Sequence, residues 1–378
     1  MRAQFRSRIR LILAFLILAA LGILLRLYFV QIVVVLFAVL LPRDVIDSTA
    51  RPSVSVVIAA RNEDRNLEAC LESVLHQTYP INLFEVIVIN DHSTDGTELI
   101  CQKFASLYTT FSYINAREDK QLRGKTNALD QGIEKAHGEV ILVTDADCTV
   151  PPTWVEWTAK RYGKAVGIVG GLTLQKASTW FEGMQSLDWG FLLGMAAATM
   201  SLRIPLSTIG NNLSFRKAAY DDVGGYRTIP FSVTEDFMLF QAIVQTKKWD
   251  YICPVDPRVL VMSQPCSSWK ELLRQKHRWG KGGLDMKFSG MFIMVIAFGL
   301  AALTLLTFAF SSQIGALGAL LLKMGGDYSF LRTIMKRQGR LELLKFFLWF
   351  EGYFIFYVLV LPFVVFFGGR VVWKGRTY

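Results

Sequence analysis

Apolar residues crowd the two ends of the chain, and between them they alternate with polar ones in short repeating blocks. Leu11–Leu41, Met291–Leu322 and Phe346–Phe367 are almost continuously apolar, whereas residues 50–290 read as a water-soluble domain. The last stretch is long enough to cross a bilayer and carries one charge, Glu351. The first two each cover about 30 residues, or about 45 Å of helix, against a hydrocarbon core of about 30 Å. Each predicts either one long tilted helix or a tight pair of short ones. Arg26 and Gln31 would mark the turn of a pair in the first, and Ser311-Ser312-Gln313 in the second. The arginine-rich start also suits a cleaved signal, but the apolar run is too long and no small-x-small site precedes polar sequence, so an uncleaved anchor is expected.

After Pro52 the pattern changes to βα units. Val54–Ala60 is a short apolar run rich in β-branched residues, which predicts a buried strand. An amphipathic helix is expected over Leu67–His76, then strand Glu85–Asn90, helix Thr97–Leu107, strand Phe111–Ile114, helix Lys125–Ala136 and strand Val140–Thr144. Strands alternating with helices imply an α/β domain with a mostly parallel sheet covered on both faces. Ligands of such sheets bind at the carboxyl ends of the strands. The loops after Ala60, Asn90 and Thr144 are therefore where chemistry is expected.

Those loops are acidic: Arg61-Asn62-Glu63-Asp64, Asp91-His92-Ser93-Thr94-Asp95-Gly96 and Asp145-Ala146-Asp147. Any one of them reads equally as helix caps and turns; three on one edge favour a ligand. In extended geometry Asp145 and Asp147 point the same way. Two such carboxylates suit a hard cation, Mg2+ or Mn2+, that completes its shell with diphosphate oxygens and water. Thr234-Glu235-Asp236 opens an expected helix, Phe237–Thr246; it is either an acidic cap or the seat of a general base, Asp236 with Glu235 as neighbour. Ser268 and Glu271 make a capping box for a further helix, on which Gln275, Arg278 and Trp279 share one face. Arg278 suits a diphosphate and Trp279 a sugar ring, or the whole helix is a basic interfacial one. His277 is expected at the surface or facing headgroups rather than as a ligand. Lys125, near a helix N-terminus, either reaches a phosphate or is solvated. Gly210-Asn211-Asn212 either lines a pocket or simply turns.

The net charge of +10 does not point to nucleic acid. Much of the excess lies beside apolar segments, at Arg2, Arg6, Arg8 and Arg10 and again at Lys323, Arg332, Lys336, Arg337, Arg340 and Lys345, where it suits anionic headgroups and a cytosolic face. No base-reading motif accompanies it. The five cysteines, Cys70, Cys101, Cys148, Cys253 and Cys266, form no CxxC pair and read as reduced thiols.

Taken in order, Val54-Ser55-Val56-Val57-Ile58 with Asn62-Glu63, Asp91 to Thr97, Gly124-Lys125-Thr126-Asn127-Ala128-Leu129, Asp145-Ala146-Asp147, Thr234-Glu235-Asp236 and Gln275-x-x-Arg278-Trp279 resemble glycosyltransferase family 2 over residues 50–285. The resemblance implies an inverting hexosyltransferase-type enzyme with a GT-A, Rossmann-like fold, a DXD motif, a QXXRW motif and metal dependence. It implies that Glu63 and Asp91 hold the uracil and ribose side of a UDP-sugar, that Lys125 and Asp145 contact the nucleotide, that Asp147 binds the metal, that Asp236 is the base, and that Gln275, Arg278 and Trp279 hold the diphosphate and acceptor end. The flanks look like the membrane parts of ceramide glucosyltransferase and polysaccharide synthases. Gly280-Lys281-Gly282-Gly283 departs from the family's usual apolar stretch there.

The expected organisation is an N-terminal anchor over 1–45, a catalytic domain over 50–287 in the cytosol and a C-terminal membrane region over 288–378, multi-pass in the plasma (inner) membrane. Arginines and catalytic domain both lie inside only if Leu11–Leu41 crosses twice or re-enters. The expected partners are a nucleotide sugar, a lipid or glycan acceptor and the membrane. A processive polysaccharide synthase is the nearest alternative, and a non-catalytic nucleotide-sugar sensor, which would not need Asp236, is a further one.

Overall fold

A computed structural model gives the fold over residues 2–41, 44, 46–283, 288–374 and 376–377. A long helix, α1 (Arg2–Leu40), precedes the domain. The βα pattern then yields β1 (Val54–Ala60), α2 (Leu67–Leu75), β2 (Phe84–Asn90), α3 (Thr97–Leu107), β3 (Phe111–Asn115), α4 (Gly124–Lys135) and β4 (Val140–Asp145), each within a residue or two of its expected bounds. Next come β5 (Cys148–Thr149), α5 (Trp154–Ala159), β6 (Val166–Gly170), β7 (Thr173–Gln175), α6 (Trp180–Ser201), β8 (Leu213–Arg216), α7 (Lys217–Asp222), α8 (Gly225–Thr228), α9 (Glu235–Gln245), β9 (Asp250–Ile252), β10 (Val261–Ser263) and α10 (Trp269–Gly283). The chain continues with α11 (Phe288–Phe310), α12 (Gln313–Arg337), α13 (Phe347–Phe367), β11 (Val372–Trp373) and β12 (Arg376–Thr377).

Seven strands form one sheet in the order β3-β2-β1-β4-β8-β6-β9. The first four run parallel, with Val56 opposite both Val86 and Leu142. β8 runs antiparallel to both its neighbours, β4 and β6. Successive side chains of β1 alternate between two apolar layers: Val54, Val56 and Ile58 face α2 and α3, while Val57 faces α4. This two-sided burial is why the strand reads as an unbroken apolar run. Because β2, β1 and β4 are adjacent, the loops that follow them emerge side by side.

Several elements had no expectation attached, α6 the most central of them. α6 is buried almost all round from Gly183 to Met200, so its sequence carries no amphipathic period to detect. Its start is a capping box, with Thr179 accepting from Glu182 N and Glu182 reaching back. α6 lies between β7 and the apolar helices, and three glycines bring the helices close. A Cβ on Gly183 would lie 2.0 Å from the Phe346 ring, on Gly190 2.5 Å from Met335 and on Gly194 2.9 Å from Ile334. The domain and the apolar helices therefore share a core.

The two long apolar stretches resolve differently. Leu11–Leu41 forms one helix, unbroken at Arg26 or Gln31. Met291–Leu322 is broken at Ser311-Ser312, where Ser312 caps α12 by accepting from Gly315 N at 3.0 Å. Lys323 is not a headgroup cation as expected. It is buried and paired with Asp327 at 2.5 Å and with Glu351, while the Tyr28 hydroxyl donates to Asp327 at 2.6 Å. Ionisable groups among apolar helices face inward and pair in this way. Leu11–Leu40 and Leu341–Phe367 are long and apolar enough to cross a bilayer, and Val295–Phe310 is a shorter apolar helix. Exposed large apolar side chains such as Phe15, Phe29, Phe37, Phe308, Leu322 and Phe366 gather on these helices.

The close approach at Gly183 gives a test. Gly183→Ala forces Phe346 to move and should cost about 1–3 kcal/mol, read as a melting point several degrees lower in detergent. Gly352→Ala, which meets nothing within 4 Å, should leave the melting point unchanged or slightly higher.

Candidate active site

The loops after β1 and β2 are built as a pair. Asn62 and His92 both take left-handed backbone, at φ 52° and 57°, which short polar side chains and histidine tolerate better than most. Asn62 Oδ1 accepts from Thr94 N at 2.8 Å, and Ser93 Oγ accepts from Asn62 N at 3.0 Å. Asp95 is a structural cap: its carboxylate accepts from Thr97 N at 3.0 Å, Thr97 Oγ1 at 2.5 Å and Asp64 N at 3.1 Å. Thr97 Oγ1 in turn accepts from Glu63 N at 2.8 Å, which fixes Glu63 beside Asp91 at the strand ends.

β4 ends at Asp145, and residues 146–147 form a turn rather than the extended strand expected for the triplet. Both carboxylates still face one cleft. Lys125, in the first turn of α4, lies 2.6 Å from Asp145 Oδ1 and 3.2 Å from Glu235 Oε1. It is a charge bridge between the end of β4 and the start of α9. Burial works against the Asp145 carboxylate, but the Lys125 ammonium outweighs it and holds the group below the usual aspartate range. Asp147 shifts the other way: burial, then the charges of Asp145 and Glu63, outweigh the Lys374 ammonium and push it up to about 6. Asp236 Oδ2 accepts from Gly210 N at 2.5 Å and Oδ1 from Phe237 N at 2.8 Å. A Cβ at Gly210 would come 3.0 Å from that Oδ2, so glycine permits the contact. Burial, then Glu235 beside it, push Asp236 up to about 6.

α10 supplies the far wall. Ser268 Oγ accepts from Glu271 N at 3.4 Å, but Glu271 reaches Ser267 rather than the cap residue, so only half of the expected box forms. Gln275, Arg278 and Trp279 line the cleft together. Arg278 donates to Val233 O at 3.4 Å, and Gln275 Oε1 is buried with no hydrogen-bond partner among the described residues. The other face of α10 was not foreseen. Lys276 is buried in an ion pair with Asp188 of α6, and its ammonium lies 4.4 Å from the Trp279 ring. Trp189 packs on Trp279 at 5.2 Å between centroids. Asp188, the lone acid in the buried run of α6, was the available signal. His277, expected at the surface, is buried against the turn after α13.

The cleft is a cavity of about 170 Å³. Glu63, Asp91, Asp145 and Asp147 line it from the strand ends, Lys125 from α4, and Glu235, Asp236, Gln275, Arg278 and Trp279 from α9 and α10. All ten residues singled out in the sequence thus meet in one place. Gly210 and Asn211 also line it, whereas Asn212 turns away to donate to Leu172 O and Val259 O. A neighbouring cavity of about 310 Å³, beside Tyr226 and Phe231, abuts it through Glu235. Lys374, from the C-terminal hairpin, reaches into the cleft as well. Among the described residues no cluster of three or more acidic, histidine or cysteine groups is assembled for a metal. Asp147, raised by its acidic neighbours and touched by the Cys148 thiol at 3.4 Å, fits a cation that arrives with phosphate oxygens.

Residues 55–237 match the family model described as glycosyl transferase family 2. This part of the chain is a glycosyltransferase family 2 domain. The family 2 domain and its flanks are 28% identical over 237 residues to poly-beta-1,6-N-acetyl-D-glucosamine synthase of Staphylococcus epidermidis, covering 62% of this chain and 55% of that one. They are also 28% identical over 243 residues to beta-monoglucosyldiacylglycerol synthase of Nostoc sp., covering 61% and 49%. The matched region thus spans about half the length of these curated relatives. A mannosyltransferase of Pyrobaculum calidifontis, solved in complex with GDP-Man and Mn2+, superposes with a TM-score of 0.60 at 19% identity, over 89% of this chain and 99% of that one. The fold is GT-A.

The buried pair behind Trp279 is testable. Lys276→Met strands the Asp188 charge and should cost about 3–5 kcal/mol in a melting experiment. Adding Asp188→Leu to it should recover most of the loss, because the unpaired charge is then gone.

Proposed function

We propose that this chain transfers a sugar, with inversion, from a nucleoside diphosphate sugar, a UDP-sugar first, to a lipid or other membrane-associated acceptor. The observation that carries the reading is the convergence of the ten residues, from six separate stretches of the chain, on one cleft. Glu63 and Asp91 sit where they can accept from the base and ribose. Lys125 and Arg278 present cations to the diphosphate, and Trp279, braced by Trp189, offers a flat face to a sugar ring. Asp236 takes the acceptor's proton. Two backbone amides hold its carboxylate in place, and Glu235 beside it helps keep its pKa close enough to neutrality for a base. Asp147 would hold Mg2+ or Mn2+, which supplies charge neutralisation for the departing diphosphate.

The membrane reading rests on the apolar outer surface of α1, α11, α12 and α13. α1 is unbroken, so if it spans a bilayer, its first residues and the family 2 domain lie on opposite sides. The two cannot both be cytosolic in that case. Arg337 at the end of α12 reaches Val39 O at the domain end of α1, and Arg332, Lys336, Arg340 and Lys345 are close to Arg337 in sequence. We assign this end to the cytosol by the positive-inside rule. The likeness to the S. epidermidis synthase keeps a processive reading as the alternative. The inward charges at Lys323, Asp327 and Glu351 favour a lipid acceptor, since they pair with one another instead of lining an open polar path.

Membranes holding the protein should move label from one member of a panel of nucleotide sugars into an organic-extractable product, and a ladder of long glycans would instead favour the processive synthase. Turnover should depend on a divalent cation, so a chelator should abolish it. Because the base works deprotonated, turnover should fall as pH drops through about 6. Asp236→Asn should lower turnover about 10²–10⁴-fold while donor binding persists. Unchanged turnover in that variant would remove Asp236 from the role.

A further inference from the structure

The cavity of about 310 Å³ beside Tyr226 has no part in donor binding, yet it meets the donor cleft at Glu235, next to Asp236. Lys125 and Thr126, consecutive in the first turn of α4, line one cavity each. The wall of the second cavity is firmly held. Gly224 and Gly225 carry the chain through left-handed backbone, at φ 72° and 62°, into α8. The Tyr220 hydroxyl then accepts from Tyr226 N at 3.0 Å and donates to Asp130 at 2.7 Å, and Gln121 donates to Arg227 O. The Tyr226 side chain is buried at the junction with the cleft, where burial, then the Glu235 charge, hold its hydroxyl in the protonated form. Among the described residues that hydroxyl has no hydrogen-bond partner. Phe231, 51% exposed, stands at the rim.

We propose, on the glycosyltransferase reading above, that this second cavity takes the acceptor, and that the acceptor is the neutral, hydroxyl-bearing head of a lipid rather than a phosphate head. An acceptor seated there lies across Glu235 from the donor, with Asp236 at the junction. Its hydroxyl oxygen bonds to the anomeric carbon of the sugar as the bond to the diphosphate breaks; the diphosphate leaves with the bonding pair, and the hydroxyl proton goes to Asp236. Tyr226 donates to an oxygen of the same head. Charge gives the chemical class. Arg227, the one cation among the described lining residues, is already paired with Asp119 at 3.1 Å and Asp130 at 3.0 Å, while Glu235 adds a carboxylate to the wall. A phosphate would meet that carboxylate with no spare cation, whereas a hydroxyl suits the site and is the nucleophile that needs a base. The rim also leads toward an apolar surface. Two residues beyond Ser232, Thr234 packs so closely on α10 that a Cβ on Gly282 would collide with it, and a Cβ on Gly280 would collide with Val365 of α13. The glycine-rich end of α10 thus joins the rim to the end of α13, where Phe363, Phe366 and Phe367 are exposed. A head in the cavity can then keep its chains in lipid.

The test uses the full chain in detergent, the nucleotide sugar selected by the panel above, and mixed micelles carrying diacylglycerol, a glucosyl diacylglycerol or a polyprenyl phosphate. Label should pass to a neutral lipid; equal or faster transfer to the polyprenyl phosphate would overturn the proposal, and so would labelling of neither neutral lipid. Tyr226→Phe keeps the ring and removes the hydroxyl, and should raise acceptor KM about 3- to 10-fold. Ser232→Trp fills the cavity from its rim and should raise acceptor KM at least about tenfold. Both variants should bind UDP in calorimetry as the unaltered protein does, with donor KM unchanged, which also shows that they are folded. Lys135→Ala, at the exposed far end of α4, should change neither KM. Unchanged acceptor KM in either cavity variant would overturn the proposal, and so would a rise in donor KM alone, which would give the cavity to the donor. If the unaltered protein neither binds UDP or GDP nor moves sugar from any donor, the glycosyltransferase reading falls and the acceptor cavity with it. If it transfers sugar and the cavity variants match it, the acceptor cavity alone falls.

Discussion

Too many carboxylates share one cleft for any of them to be understood alone. Parallel strands end side by side, so the acids that follow β1, β2 and β4 are forced together, and α9 adds two more. Like charges crowded at a partly buried site destabilise one another unless cations are delivered. Lys125 comes from α4, Arg278 from α10, and Lys374 and Arg376 from the hairpin. The uneven compensation sorts the acids. Asp145, beside Lys125, stays ionised, while Asp147 and Asp236 are pushed up toward neutrality. Aspartates in one cleft are thus sorted by their surroundings rather than by residue type.

That delivery explains why the apolar helices and the family 2 domain are not independent bodies. α6 lies between them, with glycines where Phe346, Met335 and Ile334 come closest. Through Asp188 and Trp189 it also sets the position of Lys276 and Trp279 on α10. The same helices carry the chain back so that the hairpin reaches the cleft. The boundary expected at residue 287 therefore separates composition, not cores.

The first half of the sheet and its loops were legible because strands buried on both faces leave plain apolar runs, and their acidic tips stand out against them. The face shared by Gln275, Arg278 and Trp279 was legible from helical spacing alone. α6 was not, since a helix surrounded by protein has no polar face to give a period. Lys323 was assigned to headgroups because a sequence does not reveal Asp327, Glu351 and Tyr28 as its neighbours. Lys374 and Arg376 were hidden in the same way: their partners, Glu63 and Asp91, lie at the other end of the chain. Asp95 illustrates the converse, an acid in a motif whose carboxylate is consumed by local backbone and hydroxyl donors.

The most direct test is an experimental structure with a nucleoside diphosphate sugar bound. The diphosphate should lie between Asp147 and Arg278, within reach of Lys125, with the sugar against Trp279. A nucleotide seated in the neighbouring cavity beside Tyr226, or on the outer surface with the acidic cleft empty, would contradict it.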